Sequence, residues 1–181
     1  MKTKIRPLLK TFAIFLIAFA ATVAAGSLYY FWPTQKIPSN QKVEKIIVEK
    51  KARLLRVLSG GETIASYPVS LGRDPAGDKK CKGDNKTPEG EYILDWRNPG
   101  SAAYKSFHVS YPNPTDRRET AKLGCSPGGT IMIHGIGNGY EWIGRFHRFY
   151  DWTHGCIALT NDEMEQLWWA VSDGTPIEIR P

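Results

Sequence analysis

Apolar positions along this chain fall into two regimes. From Thr11 to Trp32 they run without a charge, behind a basic flank of Lys2, Lys4, Arg6 and Lys10. Such a run, so flanked, is a targeting or membrane segment. Residues 12–32 make 21 positions, which at ~1.5 Å per helical residue reach roughly 30 Å, the thickness of bilayer hydrocarbon. The triplet Val23-Ala24-Ala25 offers a small-residue cleavage site, but the apolar run continues past it. An uncleaved signal anchor over residues 1–36 is therefore expected, with secretion after cleavage as the alternative. Tyr29, Tyr30, Phe31 and Trp32 would sit at the far interface and the basic flank in the cytoplasm, which puts the rest of the chain on the extracytoplasmic, periplasmic side.

Pro33, Pro38, Ser39 and Asn40 mark a short tether, and residues 37–43 read as a linker. Beyond it the pattern changes to alternation. Strands are expected at 45–49, 53–58 and 63–69, the last two joined by a tight Gly60-Gly61 turn, so that an antiparallel meander opens the domain. Residues 72–90 lack an apolar period and read as a long surface loop. Further strands are expected at 91–96, 107–110, 130–134, 156–159 and 176–180. One helix is expected from Thr160, where Thr160-Asn161-Asp162-Glu163 fits a capping box and Met164, Leu167, Trp168 and Val171 recur on one face. Gly174 is expected to end it as a C′ residue. A mainly β domain over residues 44–181 follows, with one or two short helices.

Charge changes the picture less than the total suggests. The formal charge is +6, but residues 1–36 hold five of the 24 basic residues and no acidic one, which leaves 19 basic against 18 acidic residues. A domain near neutrality carries no electrostatic footprint for phosphate backbones, so no nucleic-acid partner is expected. Cys81, Cys125 and Cys156 are odd in number, and in a compartment that permits disulfides one thiol is left over.

Reactive side chains are densest between Ile133 and Asn161, where three of the four histidines lie. The stretch reads Ile133-His134-Gly135, an aromatic loop, then Thr153-His154-Gly155-Cys156-Ile157. A nucleophilic cysteine needs a neighbour that takes its proton and a turn that aims amide N–H groups at the developing oxyanion. His134 or His154 suits the first need and Gly155 the second.

With these residues the chain resembles the L,D-transpeptidase catalytic domain of the YkuD type, in which His-Gly is followed some twenty residues later by Ser/Thr-His-Gly-Cys. Further matches are Val69-Ser70-Leu71-Gly72, Lys86-Thr87-Pro88-Glu89-Gly90-Glu91-Tyr92 and Pro127-Gly128-Gly129-Thr130-Ile131-Met132. The resemblance implies a β-sandwich, no cofactor, and cysteine-dependent exchange at the L,D-bond of peptidoglycan stem peptides, with acylation by carbapenems. It implies Cys156 as nucleophile, His134 as base, the Gly135 carbonyl as the group that orients the base, and His154, Gly155 and the Cys156 N–H as substrate and oxyanion contacts. Thr153, Trp152, Arg145 and Arg148 are candidate substrate contacts, the two arginines because Ala158 stands where many members carry Arg. Cys81 and Cys125 are expected to be disulfide-bonded, joining the 79–85 loop to the 124–128 turn.

Other readings accompany these. Cys156 also fits a small buried core residue, His134 a satisfied histidine at a strand end, and His154 a structural hydrogen-bonding role. For His108 and His147 the structural reading leads. Aromatic residues of the 136–152 loop suit a cleft wall or core packing. Gly135, Gly137 and Gly139 do not have nucleotide-loop spacing. His134, His147, His154 and Cys156 carry donor atoms for zinc, but no paired ligand spacing supports it, and no metal is expected. Water in place of an amine as acceptor would make the protein an L,D-carboxypeptidase or amidase, and a catalytically silent wall-binding module is a third reading.

Overall fold

The computed structural model describes residues 5–31 and 33–181, with side chains described from residue 10 onward. Lys2, Lys4 and Trp32, expected in the basic flank and the interfacial aromatic group, lie outside the described residues, as does the side chain of Arg6. The chain divides into two compact units between Pro33 and Thr34.

In the first unit a single helix, α1 (Ile5–Tyr30), contains a 21-residue stretch, Lys10–Tyr30, long and apolar enough to cross a membrane. A polar hydroxyl within it is satisfied internally, since Thr22 Oγ1 donates to Ala18 O at 2.9 Å.

Eight strands make the second unit mainly β, as the alternation predicts: β1 (Lys45–Glu49), β2 (Leu54–Ser59), β3 (Glu62–Pro68), β4 (Gly90–Ser101), β5 (Tyr104–Val109), β6 (Ile131–His134), β7 (Ile157–Ala158) and β8 (Thr175–Arg180). In β2 and β3 the residues Leu55, Val57, Ala65 and Tyr67 are fully buried while their neighbours are not, the period of a strand with one face on a core. The opening meander forms as expected, β1 with β2 and β2 with β3 antiparallel, with Gly60 and Gly61 at positive φ in the turn. All eight strands belong to one sheet in the order β3-β2-β1-β8-β4-β5-β6-β7.

The sheet curls until its two ends meet. Past β3 the chain crosses to the far edge, where Ser70 pairs antiparallel with Ala158 through Ser70 N to Ala158 O at 3.1 Å and Ala158 N to Ser70 O at 2.8 Å. One hydrophobic core results, in which Val57 and Tyr67 from one end of the strand order share a cluster with Ile133 and Ile157 from the other.

Two α-helices cover this unit. The first, α2 (Pro114–Lys122), is absent from the sequence reading because PTDRRETAK has no apolar stripe. Its signal is local: Asn113 accepts from the N–H groups of Thr115 and Asp116, Pro114 opens the first turn, and the Asp116 carboxylate returns to Asn113 N. The second, α3 (Asn161–Ala170), begins at the expected capping box of Thr160 and Glu163. Its end corrects the Gly174 expectation, because the C-cap is Val171. Arg97 of β4 donates to Trp168 O and Val171 O and so satisfies the last carbonyls from outside. Gly174, at φ +87, belongs instead to the turn that starts β8.

Candidate active site

β6 and β7 run parallel, with Ile133 opposite Ile157 and His134 opposite Ala158. Ile133 and Ile157 are fully buried in the core, so the two-residue period places Cys156 and His134 together on the other face. Cys156 directly precedes β7, diagonal to His134 in this pairing. Cys156 is the free cysteine of the chain. Cys81 and Cys125 form a disulfide with their Cα atoms 5.8 Å apart.

His134 Nδ1 lies 2.6 Å from Gly135 O. A carbonyl only accepts, so Nδ1 carries the proton and Nε2 keeps its lone pair. Gly135 has no room for a side chain, as a Cβ there would lie 2.5 Å from Asn161 Oδ1. Asn161 also accepts from Ile136 N at 2.8 Å and so fixes the backbone that holds the Gly135 carbonyl. This residue escaped the sequence reading, where it served only as part of a helix start.

The turn before Cys156 is equally constrained. Gly155 sits at φ +131, and a Cβ would lie 2.6 Å from Lys86 O. The buried Thr153 hydroxyl accepts from Gly155 N at 3.1 Å and donates to Cys156 O at 2.8 Å, so both its bonds stay within the turn. His154 is exposed, with Nδ1 2.9 Å from Asn85 Oδ1.

Burial pushes the Cys156 thiol above its usual range, against a Met132 backbone hydrogen bond and the charge of Lys79. Burial also holds His134 below the usual histidine value, against its bond to Gly135. Near neutrality Cys156 is accordingly a thiol and His134 a neutral imidazole.

Trp152 packs edge-on against His134, ring centroids 5.6 Å apart, and its indole N–H points at His147 Nδ1 at 3.4 Å. His147 is buried beside Ser70, whose hydroxyl donates to His147 O at 2.9 Å and lies 3.1 Å from Nδ1. Burial, and then the charges of Arg148 and His134, pull the His147 pKa down to about 3. The two candidate arginines are engaged elsewhere. Arg148 forms a buried ion pair with both carboxylate oxygens of Glu163, and Arg145 donates to Thr34 Oγ1 at 3.0 Å. Ala158 is fully buried, paired with Ser70 on one side and opposite His134 on the other.

Beside the Gly155 turn opens a cleft of about 290 Å³, lined among others by Lys79, Lys82, Asn85, Thr130, Ile131 and His154. Neither Arg145 nor Arg148 lines it. Among the described residues no cluster of three His, Cys, Asp or Glu side chains is arranged to hold a metal ion.

The L,D-transpeptidase catalytic domain family, YkuD, matches residues 44–179. Over 140 residues the chain is 28% identical to YqjB of Bacillus subtilis (strain 168), which bears a provisional L,D-transpeptidase name; the match covers 74% of this chain and 69% of that protein. It is 28% identical over 109 residues to the similarly named YafK of Escherichia coli (strain K12), covering 59% of this chain and 36% of YafK. Among solved structures it resembles the helical cell shape determining protein Pgp2 of Campylobacter jejuni, with a TM-score of 0.57 and 27% identity over 83% of this chain and 52% of that one. The chain thus spans about half of Pgp2 and about a third of YafK.

Proposed function

The chain belongs to the L,D-transpeptidase catalytic domain family, and on that premise we propose that it is a cysteine acyltransferase acting on peptidoglycan stem peptides, with Cys156 as nucleophile and His134 as base. The observation that carries this reading is the His134 ring, held by Gly135 O so that Nε2 is free to accept a proton on the strand face it shares with Cys156.

In the proposed reaction the Cys156 sulfur bonds to the peptide carbonyl carbon as its proton passes to His134 Nε2. Gly155 N–H is committed to Thr153 Oγ1, which leaves the Cys156 N–H to face the oxyanion. Collapse breaks the C–N bond, and His134 returns the proton to the departing amine of the terminal D-residue. An acceptor amine then attacks the Cys156 thioester: the new C–N bond forms, the C–S bond breaks, and the amine's proton passes through His134 to the departing Cys156 sulfur. Trp152 and His147 orient the base from behind, and α1 holds the domain on the outer side of the cytoplasmic membrane. A role in cell shape accords with the likeness to Pgp2.

Incubating the protein with a defined tetrapeptide muropeptide and weighing the products tests the reading. Crosslinked dimers with loss of one D-residue are expected, and a carbapenem should add its mass at Cys156. Trimmed tripeptides would assign water as acceptor, and an unchanged substrate would reject the reading. Cys156→Ser should abolish turnover with the fold intact, since an alcohol beside one histidine is a far poorer nucleophile than a thiolate.

A further inference from the structure

Strand β4 departs from regular alternation at Asp95. Leu94 lies opposite Val109 and Trp96 opposite His108, so two steps along β4 match one along β5, which is a β-bulge. Leu94, Phe107 and Val109 are fully buried, and without the bulge Trp96, two positions past Leu94, would point into the core with it. The extra residue turns Asp95 and Trp96 to the face of His108 instead. There the Trp96 ring stacks on the His108 imidazole, with centroids 4.9 Å and planes 15° apart, and Asp95 Oδ1 lies 2.6 Å from His108 Nδ1. A carboxylate accepts, so Nδ1 carries the proton and Nε2 keeps its lone pair. Arg97, the next residue, is back on the core side over the Phe107 ring.

Trp96 stays 44% exposed although His108 covers one face of its ring, so the open surface is the other face and the edge. Three polar groups of this cluster have no hydrogen-bond partner among the described residues: the Trp96 indole N–H, His108 Nε2 and the second carboxylate oxygen of Asp95. Strand register connects the cluster to the candidate active site. Met132 of β6 lies opposite His108, and the pairing of Ile133 with Ile157 puts Cys156 level with Met132. Trp96, His108, Met132 and Cys156 therefore form one row across the sheet, on the face turned away from the core. Three strand spacings of about 4.8 Å separate Trp96 from Cys156 by roughly 14 Å along that row.

We propose that Trp96 is a stacking platform for a sugar ring of the glycan strand, the ring that carries the stem peptide under attack. The proposal goes beyond the catalytic reading and rests on it for Cys156 as the place of the attacked bond. A pyranose has C–H bonds on its face and hydroxyls at its rim. The negative face of an indole attracts the C–H bonds, and two acceptors with one donor beside it match the hydroxyls. One ring edged by polar groups is not the contiguous apolar patch, about a few hundred Å² or more, that marks a protein or membrane contact. The lengths also agree. The sugar precedes the attacked carbonyl by three residues and a short acyl link, which at ~3.5 Å per extended unit is roughly 14 Å. An enzyme built in this way prefers stems still attached to their glycan over free peptides.

The test gives full-length protein a stem tetrapeptide, free or attached to its disaccharide, and compares kcat/KM for the two. The disaccharide form should be favoured about five- to tenfold, the range for one stacked ring and one hydrogen bond near the surface. Trp96→Ala should remove that ratio and Trp96→Phe should keep part of it, both with the thermal midpoint of the wild type. Equal rates in the wild type, or an undiminished ratio in Trp96→Ala, would overturn the proposal. If the wild type turns over neither substrate, calorimetric titration with a soluble N-acetylglucosamine oligosaccharide decides. Binding by the wild type that is lost in Trp96→Ala and partly kept in Trp96→Phe upholds the platform and counts instead against the catalytic reading. No binding by the wild type, or equal binding by Trp96→Ala, rejects the platform.

Discussion

Two long connections frame Cys156, residues 72–89 and residues 135–152, and they are held by different chemistry. The first is nearly devoid of apolar side chains and is pinned by charge and a covalent bond. Buried Lys50 reaches into it to Gly77 O, Thr87 O and Glu89, Lys79 pairs with Asp84, and the disulfide closes one end. The second is rich in aromatic residues, yet Tyr140, Trp142, Phe149 and Tyr150 are all at least 60% exposed. Polar side chains reaching the domain from it include His147 to Ser70, Arg148 to Glu163, and Asp151 to Arg53 and Leu71 N. Aromatic content therefore says little about what fixes a loop, and the two walls of the site should respond to different stresses, one to reduction and the other to acid.

Acid separates them most strongly. His147 is held at about 3 against an ordinary 6.5, so the unfolded chain binds a proton that the folded one refuses. Stability then falls as pH drops from about 6.5 toward 3, by roughly 4 to 5 kcal/mol at ~1.4 kcal/mol per unit. His134, depressed in the same direction, adds to the loss. Asp84 works lower on the scale: burial raises its pKa, but bonds from Lys79 and three backbone N–H groups bring it below the usual value. Its contribution is present above about 4 and lost only below that. Urea midpoints measured from pH 7 to 4 should decline steeply in the wild type and less in His147→Gln; parallel curves would show that His147 is not the sensor.

Reduction tests the other wall. Cys81 and Cys125 are 44 positions apart, and in a loop-entropy estimate their bond stabilises by about 3 to 4 kcal/mol. The Cys81→Ser/Cys125→Ser protein should lose that much in urea unfolding and become open to proteolysis at 79–86 before 135–152. Cleavage first in the aromatic connection would invert the comparison.

The strands between the two walls should be insensitive to both stresses but not to loss of the proposed base. His134→Ala should slow Cys156 acylation by a small β-lactam about a hundredfold, the low end for positioned acid-base catalysis. In the wild type, alkylation of Cys156 should rise with pH around a midpoint above that of an ordinary thiol, because burial opposes the thiolate. If the thiolate is lost in His154→Ala and kept in His134→Ala, the two histidines must exchange roles. The smallest effect belongs to Thr160→Ala, which removes one half of the α3 capping box and leaves Glu163 still paired with Arg148. A loss of about 1 kcal/mol is expected in thermal unfolding, with the acid slope unchanged.

Much of this protein is legible along the chain, because strand period, helix caps and an uncharged run of 21 residues are local properties. Alternation marks β2, β3 and β8, the Thr160 box marks α3, and the His-Gly and Thr-His-Gly-Cys stretches mark the candidate site residues on β6 and beside β7. Where local signals are weak the reading stops short. The helix α2 buries only Thr120 and carries no stripe, and the end of α3 is set by Arg97 from a strand some seventy residues earlier. The closure of the sheet through Ser70 and Ala158, the commitment of Arg148 to Glu163, the support of Gly135 by Asn161 and the gathering of Lys79 and Lys82 beside Gly155 all join residues distant in sequence. No side chain announces such a partner by itself, since hydrogen bonds and ion pairs form wherever folding brings complementary groups together. The sequence alone determined the strands and the capped helix that hold the candidate residues, and only the tertiary structure decided which charges are spent within the fold and which are left facing the cleft.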